Sequence, residues 1–201
     1  VLSFLFLKNG KFPARLYNYM KSAVFFERDG IINQYQRGQS KPLPPHSVEE
    51  FQIHPEVGAL IEKMRSIGLM IFVTTHQPLV ATGELDRREL KRMHLIMRSK
   101  LNIDDVLICP HETSDPCPCA KPETGLFKEL EHQYRIDMDH SFIISDKWQD
   151  AAAAQVLGCV SVMLDSPWVG NGHRDYLMHS FKEIEDKITF LHRNQNVMMV
   201  G

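Results

Sequence analysis

Residues 26–33 read FERDGIIN, and this stretch decides the fold. An apolar run, Ala23–Phe26, leads directly into two acids, Glu27 and Asp29, and then a glycine. Short apolar, β-rich runs alternate with amphipathic helical stretches along the rest of the chain, which predicts a parallel sheet covered by helices on both sides. Right-handed crossovers place the carboxyl ends of all such strands at one edge, where ligands bind. The two acids are therefore predicted at a binding edge.

The alternation of strands and helices is read from hydrophobic spacing. Strands are predicted at 23–26, 69–75, 105–110, 141–145 and 160–164. Helices are predicted at 55–68, 84–101, 124–136, 150–158 and 175–193. The segment 34–52 is polar and rich in Pro and Gly, so we expect a long loop or small flap that covers the binding edge.

The bulk composition suits one globular domain, predicted over residues 20–193 and followed by a loose tail at 194–201. Of the 201 residues, 43% are hydrophobic, enough to bury a core. A net charge of -2 argues against nucleic-acid binding driven by overall charge, and no apolar run reaches the ~18 residues that a membrane span needs. Residues 1–19 are interpreted as an extension of open status: the domain begins near Met20, or the extension packs on its edge.

Four short polar motifs follow apolar runs: ERDG (27–30), TTHQ (74–77), AKPETG (120–125) and SDKWQD (145–150). They bring carboxylates, a hydroxyl and ammonium groups from Glu27, Asp29, Asp146, Asp150, Thr74 or Thr75, Lys121 and Lys147. Acids that converge from separate strands repel each other unless a cation lies among them, and Mg²⁺ with oxygen ligands is the natural occupant. Hydroxyl and ammonium groups beside that ion would hold a phosphoryl group.

The loop CPHETSDPCPCAKP (109–122) is the most specific stretch of the chain. Cys109-x-His111 and Cys117-x-Cys119 supply four soft or borderline ligands, the number that a closed, tetrahedral structural Zn²⁺ site takes. Such cysteine spacing indicates metal binding in a reducing compartment, so we expect a cytoplasmic protein. Lys121 follows two residues after the last ligand, and we expect the metal to fix it as well.

These motifs resemble the haloacid dehalogenase superfamily of phosphatases, and within it the branch of heptose bisphosphate phosphatases and histidinol-phosphatases. The resemblance runs from about residue 20 to residue 164 and includes the Cys-x-His…Cys-x-Cys loop. It implies a Rossmann-like three-layer α/β sandwich with a mostly parallel central sheet, a small flap, no large cap domain and a zinc-stapled loop at 109–119. It also implies a phosphatase that binds a small phosphorylated metabolite; we expect a monomer.

The resemblance also implies roles for individual residues. Mg²⁺ would be held by the Glu27 carboxylate, the Asp29 carbonyl and the Asp146 carboxylate, with Asp150 in support. Glu27 would attack phosphorus, and Asp29 would protonate the leaving oxygen and then activate water. Phosphoryl oxygens and the rest of the substrate would be bound by Thr75, Lys121, His76, Gln77 and Lys147. An ordinary hydrogen-bonded histidine at the edge of the site is the equal alternative for His76.

Several positions depart from the family pattern, among them His76, which replaces an Asn of the family. Glu27 stands where the family has its nucleophilic Asp, and its extra methylene moves the oxygens by ~1.5 Å. A misplacement near 1 Å can cost about a hundredfold in rate. Arginines or a glycine of the family are replaced by Thr82, Ala120 and Ser145, so specificity for heptose bisphosphate does not carry over.

Three outcomes stay open for Glu27: a compensating shift of the backbone, Mg²⁺ binding while water attacks directly, or ligand binding without turnover. The leading hypothesis is a Mg²⁺-dependent phosphomonoesterase for a small, sugar-like phosphate. The alternative is a catalytically impaired protein that binds phosphorylated ligands or partners. A third, weaker reading is transfer of the phosphoryl group to an acceptor other than water.

Overall fold

The computed structural model describes residues 20–35 and 43–198, with side chains up to residue 195. The extension at 1–19, part of the expected flap (36–42) and the last three residues lie outside the described residues. In the described ranges, no helix is long and apolar enough to cross a membrane.

A parallel sheet forms the centre of the protein, as predicted. Within the described residues it has six strands in the order β3-β2-β1-β4-β5-β6, and each neighbouring pair is parallel. The strands are β1 (Ala23–Phe26), β2 (Met70–His76), β3 (Asp105–Cys109), β4 (Phe142–Ser145), β5 (Val160–Leu164) and β6 (Tyr176–Met178).

Helices cover both faces of the sheet, which makes three layers. In the described part of the chain they are α1 (Val57–Ser66), α2 (Leu79–Thr82), α3 (Arg87–Lys100), α4 (Gly125–Tyr134), α5 (Trp148–Leu157) and α6 (Phe181–Met198), with a 3-10 turn at Met138–His140. Alternate residues of β1 face opposite layers, because successive strand side chains point to opposite sides. Val24 and Phe26 pack in the larger cluster with α1, α3 and α6. Phe25 packs on the other face against Phe127 of α4 and residues of α5.

The prediction of one helix over 175–193 is wrong at its start. Tyr176–Met178 forms β6, which pairs in parallel with β5 through the register Val162↔Tyr176. A three-residue apolar run fits a helix pattern and a strand equally well, and the open edge of β5 provides backbone partners that favour the strand. The helix begins at Phe181 and continues to Met198, beyond residue 193, so residues 194–198 are helical rather than a loose tail.

The order of the strands locates the binding edge. Strand β1 lies between β2 and β4, and the chain moves outward from β1 in one direction through β3 and in the other through β6. Such a switch in strand order leaves a crevice at the carboxyl ends of the central strands. The motifs that begin at Glu27, Thr74 and Ser145 all lie there.

Candidate active site

Glu27 is the first residue after β1, and its carboxylate is surrounded by donors. Thr75 Oγ1 at the end of β2 donates to Glu27 Oε1 at 2.9 Å, and the backbone N–H of Arg28 donates to the same oxygen at 2.8 Å. Lys121 Nζ donates to Glu27 Oε2 at 2.5 Å. The side chain is almost wholly buried. The structure therefore brings together three of the residues that the sequence assigned to one site.

Lys121 lies buried between two carboxylates. Besides Glu27 it donates to Asp150 Oδ1 at 2.6 Å and to the carbonyl of Thr74 at 2.8 Å. Asp150 accepts a further hydrogen bond from Ser145 Oγ at 2.8 Å. Asp150, predicted to support the metal site, thus contacts the lysine directly, and the ammonium bridges α5 to the end of β1.

Opposing effects set the pKa of these buried groups. Burial disfavours the charge on Glu27, but the charges of Lys121 and Lys147 outweigh it and lower the pKa of Glu27 to about 2. Burial also opposes the charge on Lys121, and Asp150 and Glu27 raise its pKa in spite of that. Both groups are ionised at neutral pH, so the site holds a strong internal ion pair.

A second set of oxygens lies on the β4 side of Glu27. Lys147 Nζ donates to the carbonyl of Asp29 at 2.5 Å and to Asp146 Oδ1 at 3.0 Å. Tyr35 Oη donates to the same two oxygens at 2.9 and 3.3 Å. Gly30, with φ +97°, lets the backbone pass here, because a Cβ would collide with Asp146 and the Tyr35 ring. The Asp29 carbonyl and the Asp146 carboxylate therefore lie side by side.

These oxygens fit a hard divalent cation. The carbonyl of Asp29 and the carboxylates of Asp146 and Glu27 are the oxygen donors that Mg²⁺ prefers. Burial raises the pKa of Asp146, and the nearby charge of Glu27 adds to that rise. The Lys147 ammonium, which contacts the Asp29 carbonyl and Asp146, partly offsets this rise, and a divalent cation at these oxygens would displace it.

Behind these groups lies a buried polar cluster that sequence reasoning missed. The guanidinium of Arg28 is fully buried; its Nε donates to Asp29 Oδ1 at 3.0 Å and its Nη2 to Asp29 Oδ2 at 3.1 Å. Its Nη1 lies 3.2 Å from His94 Nε2, which must accept because arginine carries only donors. Burial, then the charge of Arg28, lowers the pKa of His94 to about 3. An arginine between two acids is the available sequence signal, but it indicates a surface residue equally well.

A cavity of about 200 Å³ opens over the site. Its lining is Glu27, Asp29, Tyr35, Pro44, His76, Pro78, Lys121, Lys147, Gln149 and Asp150. Sequence reasoning assigned no role to Tyr35, which lies two residues after Asn33, or to Gln149, which lies inside the SDKWQD motif. His76 and Lys147, predicted to bind substrate, line the cavity. Gln77, predicted to do the same, instead lies behind it, and its side-chain amide is used by protein groups.

The cysteine–histidine loop, residues 109–119, brings its four ligand atoms together. Those of Cys109, His111, Cys117 and Cys119 all lie within 4.8 Å of one another. The Cys109 and Cys119 sulfurs each lie 3.6 Å from that of Cys117, close to the ~3.8 Å edge of a tetrahedron with a Zn–S bond of about 2.3 Å. Burial opposes the thiolate at Cys117, but hydrogen bonds from the Cys119 and Ala120 backbone outweigh it and lower the pKa to about 7. Four such donors fit Zn²⁺.

The loop is joined directly to the cavity wall. His76 pairs with Cys109 in the β2–β3 register, and its ring Nε2 lies 2.9 Å from the carbonyl oxygen of His111. The backbone N–H of Gln77 donates to the carbonyl of Cys109 at 2.8 Å. The position of His76 in the cavity therefore depends on the conformation of the cysteine–histidine loop.

The parallel sheet, its switch in strand order and the cluster of carboxylates, lysine and hydroxyl at that point define the class of haloacid dehalogenase-like (HAD-like) hydrolases. A HAD-hydrolase-like family model matches residues 118–184. A solved D,D-heptose 1,7-bisphosphate phosphatase from B. bronchiseptica, complexed with magnesium and phosphate, superposes with a TM-score of 0.72. That match covers 84% of this chain and 98% of that one, at 19% identity, and shows the likeness of the fold.

Two relatives have a higher sequence identity to this chain. The "Probable D-glycero-D-manno-heptose-1,7-bisphosphate 7-phosphatase" of Thermoplasma volcanium is 31% identical over 62% of this chain and 84% of its own length. The D-glycero-beta-D-manno-heptose-1,7-bisphosphate 7-phosphatase of Rhodopseudomonas palustris is 30% identical over 69% and 80%. The chain belongs to the HAD-like phosphatases, in the branch of the heptose-1,7-bisphosphate phosphatases.

Proposed function

We propose that the protein is a Mg²⁺-dependent phosphomonoesterase that acts on a small sugar phosphate, with Glu27 at the nucleophile position. One observation carries the proposal: the hydroxyl of Thr75 and the ammonium of Lys121 converge on the Glu27 carboxylate within 2.9 Å. Donors in that arrangement stabilise the oxygens of a transferring phosphoryl group. The names of the relatives, which are phosphatases of a phosphorylated sugar, support the same class of substrate.

In this proposal each side chain has a chemical task. A Glu27 oxygen attacks phosphorus and the bond from phosphorus to the sugar oxygen breaks. Asp29, which must first take up a proton from solvent despite its ion pair with Arg28, gives that proton to the departing sugar oxygen. Asp29 then takes a proton from water, which attacks the acyl-phosphate and releases inorganic phosphate and the Glu27 carboxylate. Mg²⁺, held by Glu27, the Asp29 carbonyl and Asp146, would neutralise charge on the phosphoryl oxygens. Lys147 and His76 are proposed to contact the substrate from the cavity wall.

The cysteine–histidine loop is proposed to hold a structural Zn²⁺. The four protein ligands would complete a tetrahedron around the ion and would leave no position for a reacting water. None of these cysteines forms a disulfide within the described residues, so each can bind a metal as the thiolate, which suits the reducing cytoplasm that we propose as the compartment. We also propose that the protein is a monomer and that it binds a small phosphorylated metabolite.

The same geometry favours a second candidate, a protein that binds phosphorylated ligands without turnover. Both oxygens of Glu27 already accept from the donors that would hold the phosphoryl group. The added methylene of Glu, relative to the Asp of the family, extends the carboxylate toward those donors. A phosphoryl group must then compete with Glu27 for Thr75 and Lys121.

Phosphate release from a panel of sugar phosphates with Mg²⁺ separates the two candidates. The panel includes heptose 1,7-bisphosphate and is run with wild type, Glu27→Asp and Glu27→Gln. If Glu27 is a working nucleophile, wild type turns over and Glu27→Asp loses about a hundredfold, because its oxygens retreat by more than 1 Å. If the site is impaired, wild type is silent and Glu27→Asp gains activity. Silence of both on every substrate would count against the phosphatase.

A further inference from the structure

The amide of Gln77 connects three groups of the site from behind. Its Nε2 lies 2.6 Å from Asp29 Oδ2 and 2.8 Å from Thr75 Oγ1, and its Oε1 accepts from Arg28 Nη2 at 2.8 Å. Gln77 is 1% exposed, and Arg28 and Thr75 are fully buried. The three partners are thus tied to one planar group that water does not reach.

The direction of each of these hydrogen bonds is determined. Arg28 has only donors, so the oxygen of the Gln77 amide must face it and the NH₂ group must face the other way. The two hydrogens of that NH₂ group serve Asp29 and Thr75, one each. Because the Thr75 oxygen accepts from Gln77, its own proton is free to point to Glu27 Oε1, 2.9 Å away.

One amide therefore orients two functional groups. It holds the Asp29 carboxylate together with Arg28, and it directs the Thr75 proton toward the place where a phosphoryl oxygen would bind. The backbone of Gln77 is held as well, because its N–H donates to the carbonyl of Cys109 at 2.8 Å. Gln77 therefore has little freedom to move, because its backbone N–H and its side-chain amide are both hydrogen-bonded.

We propose that Gln77 is a positioning residue, which aligns the acid–base carboxylate of Asp29 and the phosphoryl-binding hydroxyl of Thr75 without touching substrate. The proposal rests on the function proposed above for these two groups. It assigns to Gln77 a role in the rate of the chemical step, and only a minor role in binding the sugar.

The test uses two substitutions of Gln77 with opposite chemistry. Gln77→Glu keeps the size and the acceptor for Arg28 but replaces the NH₂ donor by a second acceptor, which repels Asp29 and draws the Thr75 proton away from Glu27. Gln77→Met keeps the approximate volume and removes both functions. Gln155→Glu, on an exposed position of α5, is the matched control. Thermal melting of each variant establishes that it folds.

With any sugar phosphate that wild type hydrolyses, we expect kcat to fall about a hundredfold in both Gln77 variants, the cost of a functional group misplaced by about 1 Å. KM should change less than threefold, and the control should match wild type. A purely structural role would instead lower the melting temperature and leave kcat intact in the folded protein. Unchanged kcat in a folded Gln77→Glu variant would overturn the proposal.

If wild type hydrolyses nothing, the phosphatase proposal fails but the role of Gln77 is still measurable. Calorimetry with inorganic phosphate and Mg²⁺ then reports on the Thr75 hydroxyl directly. An affinity at least tenfold weaker in folded Gln77→Glu than in wild type supports the positioning role. Equal affinity, or absence of phosphate binding by wild type, overturns it.

Discussion

The site at the strand ends and the cysteine–histidine loop differ in how their polar groups are satisfied. At the strand ends, Lys121 is bonded to two carboxylates and a carbonyl, and Arg28 is bonded to Asp29, Gln77 and His94. In the loop, the ligand atoms of Cys117 and Cys119 mostly contact other ligand atoms, at 3.3 to 3.6 Å. Sulfur is a weak hydrogen-bond partner. In the strand-end site, side chains and carbonyls of the protein satisfy the polar groups. In the cysteine–histidine loop, we expect the ligand atoms to need a bound metal ion to keep their arrangement.

Substitution of Lys121 by Met should have the largest effect of all on the strand-end site. The change leaves Glu27 and Asp150 buried beside each other without their shared cation. Removal of one partner from a buried ion pair costs about 3–5 kcal/mol of the free energy of unfolding. Phosphate release should fall below detection. Urea unfolding of Lys121→Met and wild type measures the first effect.

Lys128→Met is the control for that experiment, because Lys128 is exposed on α4. It should change the free energy of unfolding by less than about 0.5 kcal/mol. A similar small loss for Lys121→Met would mean that the strand-end site does not depend on its internal ion pair, and the contrast between the two regions would fail.

Removal of zinc should affect the loop without unfolding the sheet. An ion present at about 100 times its dissociation constant stabilises by about 2.7 kcal/mol, and for a chain of this size ~1 kcal/mol corresponds to about 2–4 °C in melting temperature. On that basis we expect a zinc chelator to lower the melting temperature by about 5–10 °C. The far-UV circular dichroism at room temperature should not change, because the sheet stays folded.

Cysteine variants separate the loop from the rest of the chain. Cys119→Ser should show the same melting temperature with and without chelator. Cys159→Ala, in the core cluster with residues of α4 and α5 and outside the cysteine–histidine loop, should respond to chelator as wild type does. Loss of the whole sheet signal on chelation would contradict an independently organised strand-end site.

A pH experiment tests the buried cluster around Arg28. His94 stays neutral in the folded protein, with its pKa lowered to about 3, whereas the unfolded chain takes up that proton near the ordinary value of 6.5. Between these pH values the unfolded state binds the extra proton, so the free energy of unfolding falls as the pH falls. At pH 5 the loss is about 2 kcal/mol, from about 1.4 kcal/mol per pH unit.

His94→Gln keeps an acceptor for Arg28 but does not titrate. We expect the stability of this variant to fall less than that of wild type between pH 7.5 and pH 5, values chosen on the two sides of the ~6.5 ordinary pKa. Urea unfolding at both pH values measures the difference. An equal loss in both proteins would show that His94 is protonated in the folded state, and that the cluster is wetter than its burial indicates.

The smallest effect is expected at the surface. Arg92 and Glu89 form an ion pair at 2.6 Å on α3, and the Arg92 side chain is 60% exposed. Exposed pairs of this kind contribute about 0.2–1 kcal/mol, and helical ones fall in the lower half of that range. Arg92→Ala should therefore lose less than about 0.5 kcal/mol, measured by urea unfolding at low salt. A loss as large as that of Lys121→Met would remove burial as the explanation of the contrast.

The sheet and the residues at its edge could be predicted because the sequence signals there are local. Apolar runs such as Ala23–Phe26 end at charged motifs, and parallel topology then brings Glu27, Thr75 and Lys121 together. The cysteine–histidine loop could be recognised for the same reason, since its four ligands lie within eleven residues.

The parts that could not be predicted depend on contacts distant in sequence. Strand β6 forms because β5 presents an open edge, which a three-residue run does not reveal. The burial of Arg28 depends on His94, 66 residues away, and on Gln77, 49 residues away. The role of Gln77 was missed because a polar residue after a strand indicates a cavity wall as readily as a buried support.

The contact between His76 and the His111 carbonyl makes one cavity wall only as rigid as the loop behind it. If the loop is ordered by its ion, a purified sample with partial zinc content would contain two populations that differ in the width of the cavity mouth. Substrate saturation curves of such a sample would be biphasic, and they would become hyperbolic on reconstitution.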